Sequence, residues 1–139
     1  MDPLMSVIVD EQAMHDYAAR FAQTLNRHSC IALYGDLGAG KTFFVRAVCT
    51  ALGFVTGVRS PTFTLMNIYE WSDWRVYHMD LYRLTDPDEI YDIGYDDCVN
   101  GSGIVFIEWP EKIEELLPEN VIRVNIEISD NNSRQITVS

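Results

Sequence analysis

The chain has 139 residues, is 47% hydrophobic and carries a formal net charge of −11. That length suits one domain, residues 1–139, with a core of its own. No apolar run approaches the roughly 18 residues of a membrane helix, the first residues lack a basic stretch leading into an apolar one, and three scattered cysteines argue against a disulfide framework or a zinc site. The expectation is a reduced, cytoplasmic protein in which Cys30, Cys49 and Cys98 serve as small buried apolar residues.

Taken in chain order, Ser6 to Val9 predicts a short strand leading to Asp10, a good helix N-cap. Met14, Tyr17, Ala18, Phe21 and Leu25 then recur at helical spacing. Cys30 to Tyr34 is a continuous apolar run and predicts a buried strand. A glycine-rich loop follows, then a helix from about Lys41 to Leu52, ended by Gly53. Leu65 to Glu70 and Arg75 to Asp80 predict two strands around the turn WSDW. Thr85-Asp86-Pro87 predicts a helix start with proline in its first turn. Ile104 to Ile107 is a second continuous apolar run, and Pro110 to Leu117 predicts a short acidic helix. Val121 to Ser129 alternates and predicts a strand, with Arg134 to Val138 as its hairpin partner around Asp130-Asn131-Asn132. The expected fold is α/β, a three-layer P-loop NTPase fold with a mainly parallel central sheet and antiparallel edge strands.

The loop carries the chemistry. Residues 35–42 read GDLGAGKT, which fits the phosphate cradle G-x-x-x-x-G-K-[ST]. Its expected nucleotide contacts are Gly35, Asp36, Leu37, Gly38, Ala39, Gly40, Lys41 and Thr42. The glycines let successive backbone N–H groups turn inward toward phosphate oxygens, and the helix opening near Lys41 adds its positive end. Lys41 reaches the β- and γ-phosphates in such a cradle, and Thr42 sets its hydroxyl on Mg2+. Such a loop follows a buried strand and opens a helix, as here.

A second magnesium ligand ordinarily comes from the end of a neighbouring buried strand. Two strands end in acid. Glu108 follows four consecutive apolar residues, the pattern of a buried parallel strand, and is assigned to the metal. Asp80 ends an alternating strand and is assigned to the attacking water or to a switch region. A strand-end acid can also be a helix cap. The chain has no N-K-x-D and no D-x-x-G, so adenine is the expected base. The cations available to assist are Arg46, Arg59 and Arg83, and with so few the hydrolysis should be slow unless helped.

Residues 80–119 hold twelve Asp or Glu against Arg83 and Lys112. This stretch is either a solvated, solubilising surface or a docking face for a basic partner. Binding of free tRNA by such a face is not expected, because phosphate contacts need Lys and Arg.

GDLGAGKT at 35–42, SPTFTL at 60–65, YHMDLYRL at 77–84 and IEWPE at 107–111 occur in that order. The set closely resembles the TsaE (YjeE) family of small bacterial P-loop ATPases, over nearly the whole chain. The resemblance implies an accessory ATPase in the formation of threonylcarbamoyladenosine on tRNA, using ATP and Mg2+, acting on a complex of TsaB and TsaD and meeting tRNA only indirectly. It implies Thr42 and Glu108 as magnesium ligands, Asp80 as the acid needed for hydrolysis, and Thr62 as a switch-like residue near the γ-phosphate. Glu11 and Arg134 are expected to flank the base. Trp109 is read as an aromatic packed beside Pro110 in preference to a nucleotide contact. Phe63 departs from the family, where tyrosine is common.

Overall fold

The computed structural model describes residues 4–54, 65–129 and 131–139. Arg59 and Thr62, with the rest of 55–64, lie outside the described residues.

Seven strands form one sheet in the order β1-β7-β6-β2-β5-β4-β3. They are β1 (Leu4–Ile8), β2 (Cys30–Tyr34), β3 (Met66–Trp71), β4 (Trp74–Asp80), β5 (Ile104–Glu108), β6 (Ile122–Ile128) and β7 (Arg134–Val138). β2 pairs in parallel with both β6 and β5, and β5 with β4. The β1–β7, β6–β7 and β3–β4 pairings are antiparallel. The sheet is therefore mixed, with the antiparallel edges that were expected making up half of its pairings. Parallel pairing is confined to four central strands, because two short hairpins and the added β1 supply all the outer pairings.

β2 and β5 read as unbroken apolar runs because both faces of the central sheet are covered. Ile31, Leu33, Ile104 and Phe106 face α1 (Glu11–Ala22) and α2 (Lys41–Ala51), packing against Ala18, Phe21, Phe44 and Val48. Cys30, Ala32, Val105 and Ile107 point the other way, into a second cluster with Leu81, Ile90, Tyr95 and Ile113. All three cysteines are free and buried. Burial pushes the Cys30 and Cys49 thiols up to about 12.

Asp10 caps α1, accepting from the Ala13 N–H at 2.8 Å. The helix ends at Ala22, earlier than the spacing through Leu25 predicts, yet Leu25 still packs on the core. The first strand pairs over Leu4–Ile8 with β7, which frees Val9 for the turn into the cap.

The second layer is less regular than expected. Pro87–Ile93 is a 3-10 helix capped by Asp86, and Gly94 (φ 79°) separates it from α3 (Tyr95–Val99). Pro110–Leu116 is also 3-10, broken at Ile113. The left-handed Gly94 divides the first expected helix and the non-helical Ile113 breaks the second, while each proline sits at the opening position, where a helical turn tolerates it.

Candidate nucleotide site

The glycine-rich loop leaves the end of β2 and enters α2. Gly35 has φ +150°, and a Cβ there would meet the Ile126 carbonyl oxygen at 2.5 Å. Gly40 sits at the helix N-cap with φ 106°, and no side chain caps α2. Among the described residues, then, no N-cap side chain bonds the start of α2, and the positive end of the helix dipole stands at the loop, where it suits an anion.

Lys41 is buried beneath this loop. Its Nζ donates to the Gly35 carbonyl at 2.6 Å and lies 3.7 Å from the centre of the Trp109 ring. Burial lowers its pKa, opposed by the negative charges of Glu108, Glu111, Asp80 and Asp36. Trp109 packs against Tyr82 as well, with ring centres 5.1 Å apart. It holds a left-handed backbone (φ 60°), which turns the chain sharply from β5 into Pro110. The partners of Trp109 are thus Tyr82 and the lysine of the loop.

Glu108 ends β5 opposite Leu33 of β2 and Asp80 of β4. Its position beside β2 brings it to the start of α2. Thr42 Oγ1 donates to Glu108 Oε2 at 2.9 Å, so the two residues assigned to the metal meet. On the same oxygen, at 2.6 Å, lies His78 Nε2. His78 is fully buried, and its Nδ1 lies 3.1 Å from the Tyr69 hydroxyl. His78, Tyr69 and Asn67 carried no functional reading in the sequence. The signal available was the alternation along β4: Val76 and His78 share one face, and a buried imidazole two residues from a strand-end acid requires partners.

Asp80 is half-buried, and its Oδ1 accepts from the Tyr82 N–H at 3.0 Å. Burial raises its pKa, the Tyr82 bond lowers it, Glu108 raises it again, and His78 and Lys41 lower it.

Glu11 and Arg134 line one cavity of about 390 Å³ with Ile8, Met14, Gly40 and Phe43, beside the loop. Arg134 Nε donates to the Ala39 carbonyl at 2.9 Å and Nη1 to Asn132 at 3.0 Å. The C-terminal hairpin thereby braces the loop, a contact across 95 positions that no local pattern announces. Asp36, Leu37 and Gly38 are exposed at the loop tip, and Ala39 is buried. Arg46 and Arg83 are exposed.

The acidic stretch is divided. Glu108 belongs to the site, Asp86 caps a turn, and Glu114 accepts from the Tyr34 hydroxyl at 2.7 Å and from Arg123 at 2.9 Å. Asp96, Asp97 and Glu115 are exposed.

Among the described residues no group of three or more His, Cys, Asp or Glu converges on a metal position. A threonine hydroxyl beside one carboxylate suits Mg2+, a hard cation that keeps several waters and takes phosphate oxygens as further ligands. No helix among the described residues is long and apolar enough to cross a membrane.

Residues 8–136 match the family described as Threonylcarbamoyl adenosine biosynthesis protein TsaE. The chain is 41% identical over 135 residues to the Rickettsia typhi protein named tRNA threonylcarbamoyladenosine biosynthesis protein TsaE, covering 96% of this chain and 93% of that one. It is likewise 41% identical to the Haemophilus influenzae protein of that name, covering 94% and 85%. Among solved structures it resembles the crystal structure of Bacillus subtilis YdiB, with a TM-score of 0.84 and 30% identity, over 99% of this chain and 84% of that one.

Proposed function

The chain belongs to the TsaE family, a family of tRNA threonylcarbamoyladenosine biosynthesis, and from that premise we propose that it is a P-loop protein that binds ATP with Mg2+ and hydrolyses it slowly. The observation that supports this reading best is the Thr42–Glu108 contact at 2.9 Å, formed where an uncapped helix opens behind the glycine-rich loop. The loop amides and the start of α2 bind the phosphates. Lys41 exchanges the Gly35 carbonyl for a phosphate oxygen while Trp109 keeps the ammonium aligned. Thr42 and Glu108 hold Mg2+, which when bound neutralises charge on the phosphate oxygens. Asp80, one strand away, orients the attacking water. The cavity lined by Glu11 and Arg134 takes the base.

The protein works in the cytoplasm on the TsaB–TsaD complex, meeting tRNA only through it. Its exposed acids, Asp96, Asp97 and Glu115, favour a basic protein surface over tRNA. Calorimetric ATP titration of the parent and Lys41→Ala, with and without Mg2+, tests the cradle: Lys41→Ala should bind ATP at least about tenfold more weakly. Equal binding by the two refutes the assignment. The ATPase rate with and without TsaB and TsaD tests the accessory role, with a rise in the complex expected.

A further inference from the structure

We infer that His78 is a positioning residue for the magnesium site, the centre of a buried relay that runs from the sheet edge to Glu108. This inference rests on the magnesium reading of Thr42 and Glu108. Register places the relay on one face of the sheet: Asn67 lies opposite His78 and Tyr69 opposite Val76 across β3–β4, and β4 lies beside β5. Asn67 Nδ2 donates to the Tyr69 oxygen at 3.5 Å. The Tyr69 hydroxyl in turn lies 3.1 Å from His78 Nδ1, and His78 Nε2 lies 2.6 Å from Glu108 Oε2. A carboxylate at one ring nitrogen and a hydroxyl at the other set the tautomer, with the proton on Nε2.

Two donors, Thr42 and His78, address the same carboxylate oxygen. Oε2 is pinned, and among the described residues no donor meets Oε1, which is left for a further ligand. Thr42 is itself a proposed cation ligand, so among the described residues His78 is the donor on Oε2 whose place does not depend on the cation. Its complete burial removes water as a substitute. Hydrogen-bond partners behind a metal ligand commonly change metal affinity by about ten- to a hundredfold when removed.

The experiment measures ATP affinity with and without Mg2+ in the parent, His78→Leu, His78→Gln, His78→Asn and Tyr69→Phe. Melting temperature and Mg2+-free affinity report whether each variant retains its fold and loop. The Mg2+-dependent gain in affinity should fall by about tenfold in His78→Leu. Glutamine places an amide nitrogen near the position of Nε2 and should recover most of the gain. Asparagine is one carbon too short to reach Glu108 and should not. Tyr69→Phe should lose a few-fold. In metal-free protein, nitrogen NMR should find the His78 proton on Nε2. Where His78→Leu does not fold, the glutamine–asparagine pair and Tyr69→Phe decide. A folded His78→Leu that keeps the parent's gain, asparagine matching glutamine, or a proton on Nδ1 alone overturns the relay. A parent that gains nothing from Mg2+ overturns the magnesium reading, and the relay with it.

Discussion

Asp80 and Glu108 end neighbouring parallel strands and face each other in register, yet their surroundings differ. Glu108 is buried and accepts from Thr42 and His78. Asp80 is half-buried and accepts one backbone N–H, with burial raising its pKa. Strand order produces the difference. β5 lies directly against β2, whose continuation is the loop, while β4 is one strand further out. An acid held by several donors keeps one geometry whatever is bound, which suits a ligand. An acid with one donor and a water-accessible side retains the freedom to bind and orient a water.

The largest effect expected from this comparison is on turnover. Asp80→Asn should lower the ATPase rate by about a hundredfold or more, in the range general acid–base groups contribute, and leave Mg2+-ATP affinity within a few-fold, because the acid acts mainly in the transition state. Single-turnover kinetics beside calorimetry will read the two quantities separately. Next comes Glu108→Gln. It should cost Mg2+-ATP affinity on the order of a hundredfold, the upper end of what losing even an outer partner of a metal ligand costs, and leave Mg2+-free binding nearly intact. If Asp80→Asn loses the magnesium-dependent binding and Glu108→Gln does not, the two roles are exchanged.

A smaller effect concerns stability. Asp80 has a folded pKa above its unfolded value, so its contribution to stability is fully present below the unfolded pKa of about 3.9 and is lost as pH rises through the folded pKa. At neutral pH the ionised acid therefore opposes folding. Asp80→Asn should melt up to a few degrees higher than the parent near pH 7, with the advantage vanishing below about pH 3.9, where both states hold the proton. Thermal melts across that range provide the test. The same change is expected to stabilise the fold and suppress turnover, as a residue retained for chemistry would.

The smallest effect separates partners from burial. Glu114 has two side-chain donors, like Glu108, but is exposed. Its pKa is lowered first by the Tyr34 hydroxyl, raised in part by burial, and lowered again by Arg123. Glu114→Gln should change unfolding free energy by no more than about 1 kcal/mol, less at high salt, as exposed ion pairs do. A denaturant titration showing a much larger loss would mean that this cluster braces the 3-10 segment from Pro110 to Leu116.

What local sequence determined is whatever depends on neighbours along the chain. The cradle from Gly35 to Thr42 is contiguous, and its glycines, lysine and threonine each answer a need within one strand–loop–helix turn. The unbroken apolar runs of β2 and β5 announced burial on both faces, and the acid ending the second run was thereby legible as an interior group. Tertiary structure alone decided which elements became neighbours. The side chain of Arg134 reaches the Ala39 carbonyl only because β7 pairs beside β6, which pairs beside β2. Trp109 lies under Lys41 because β5 ends at the loop. His78 faces Glu108 because parallel pairing sets β4 against β5 in that register, and a one-residue slip would have turned its ring to the opposite face. Hydrophobic periodicity states which side of a strand is buried and leaves open what lies on the next strand, since pairing joins segments that are distant in the chain and equally apolar.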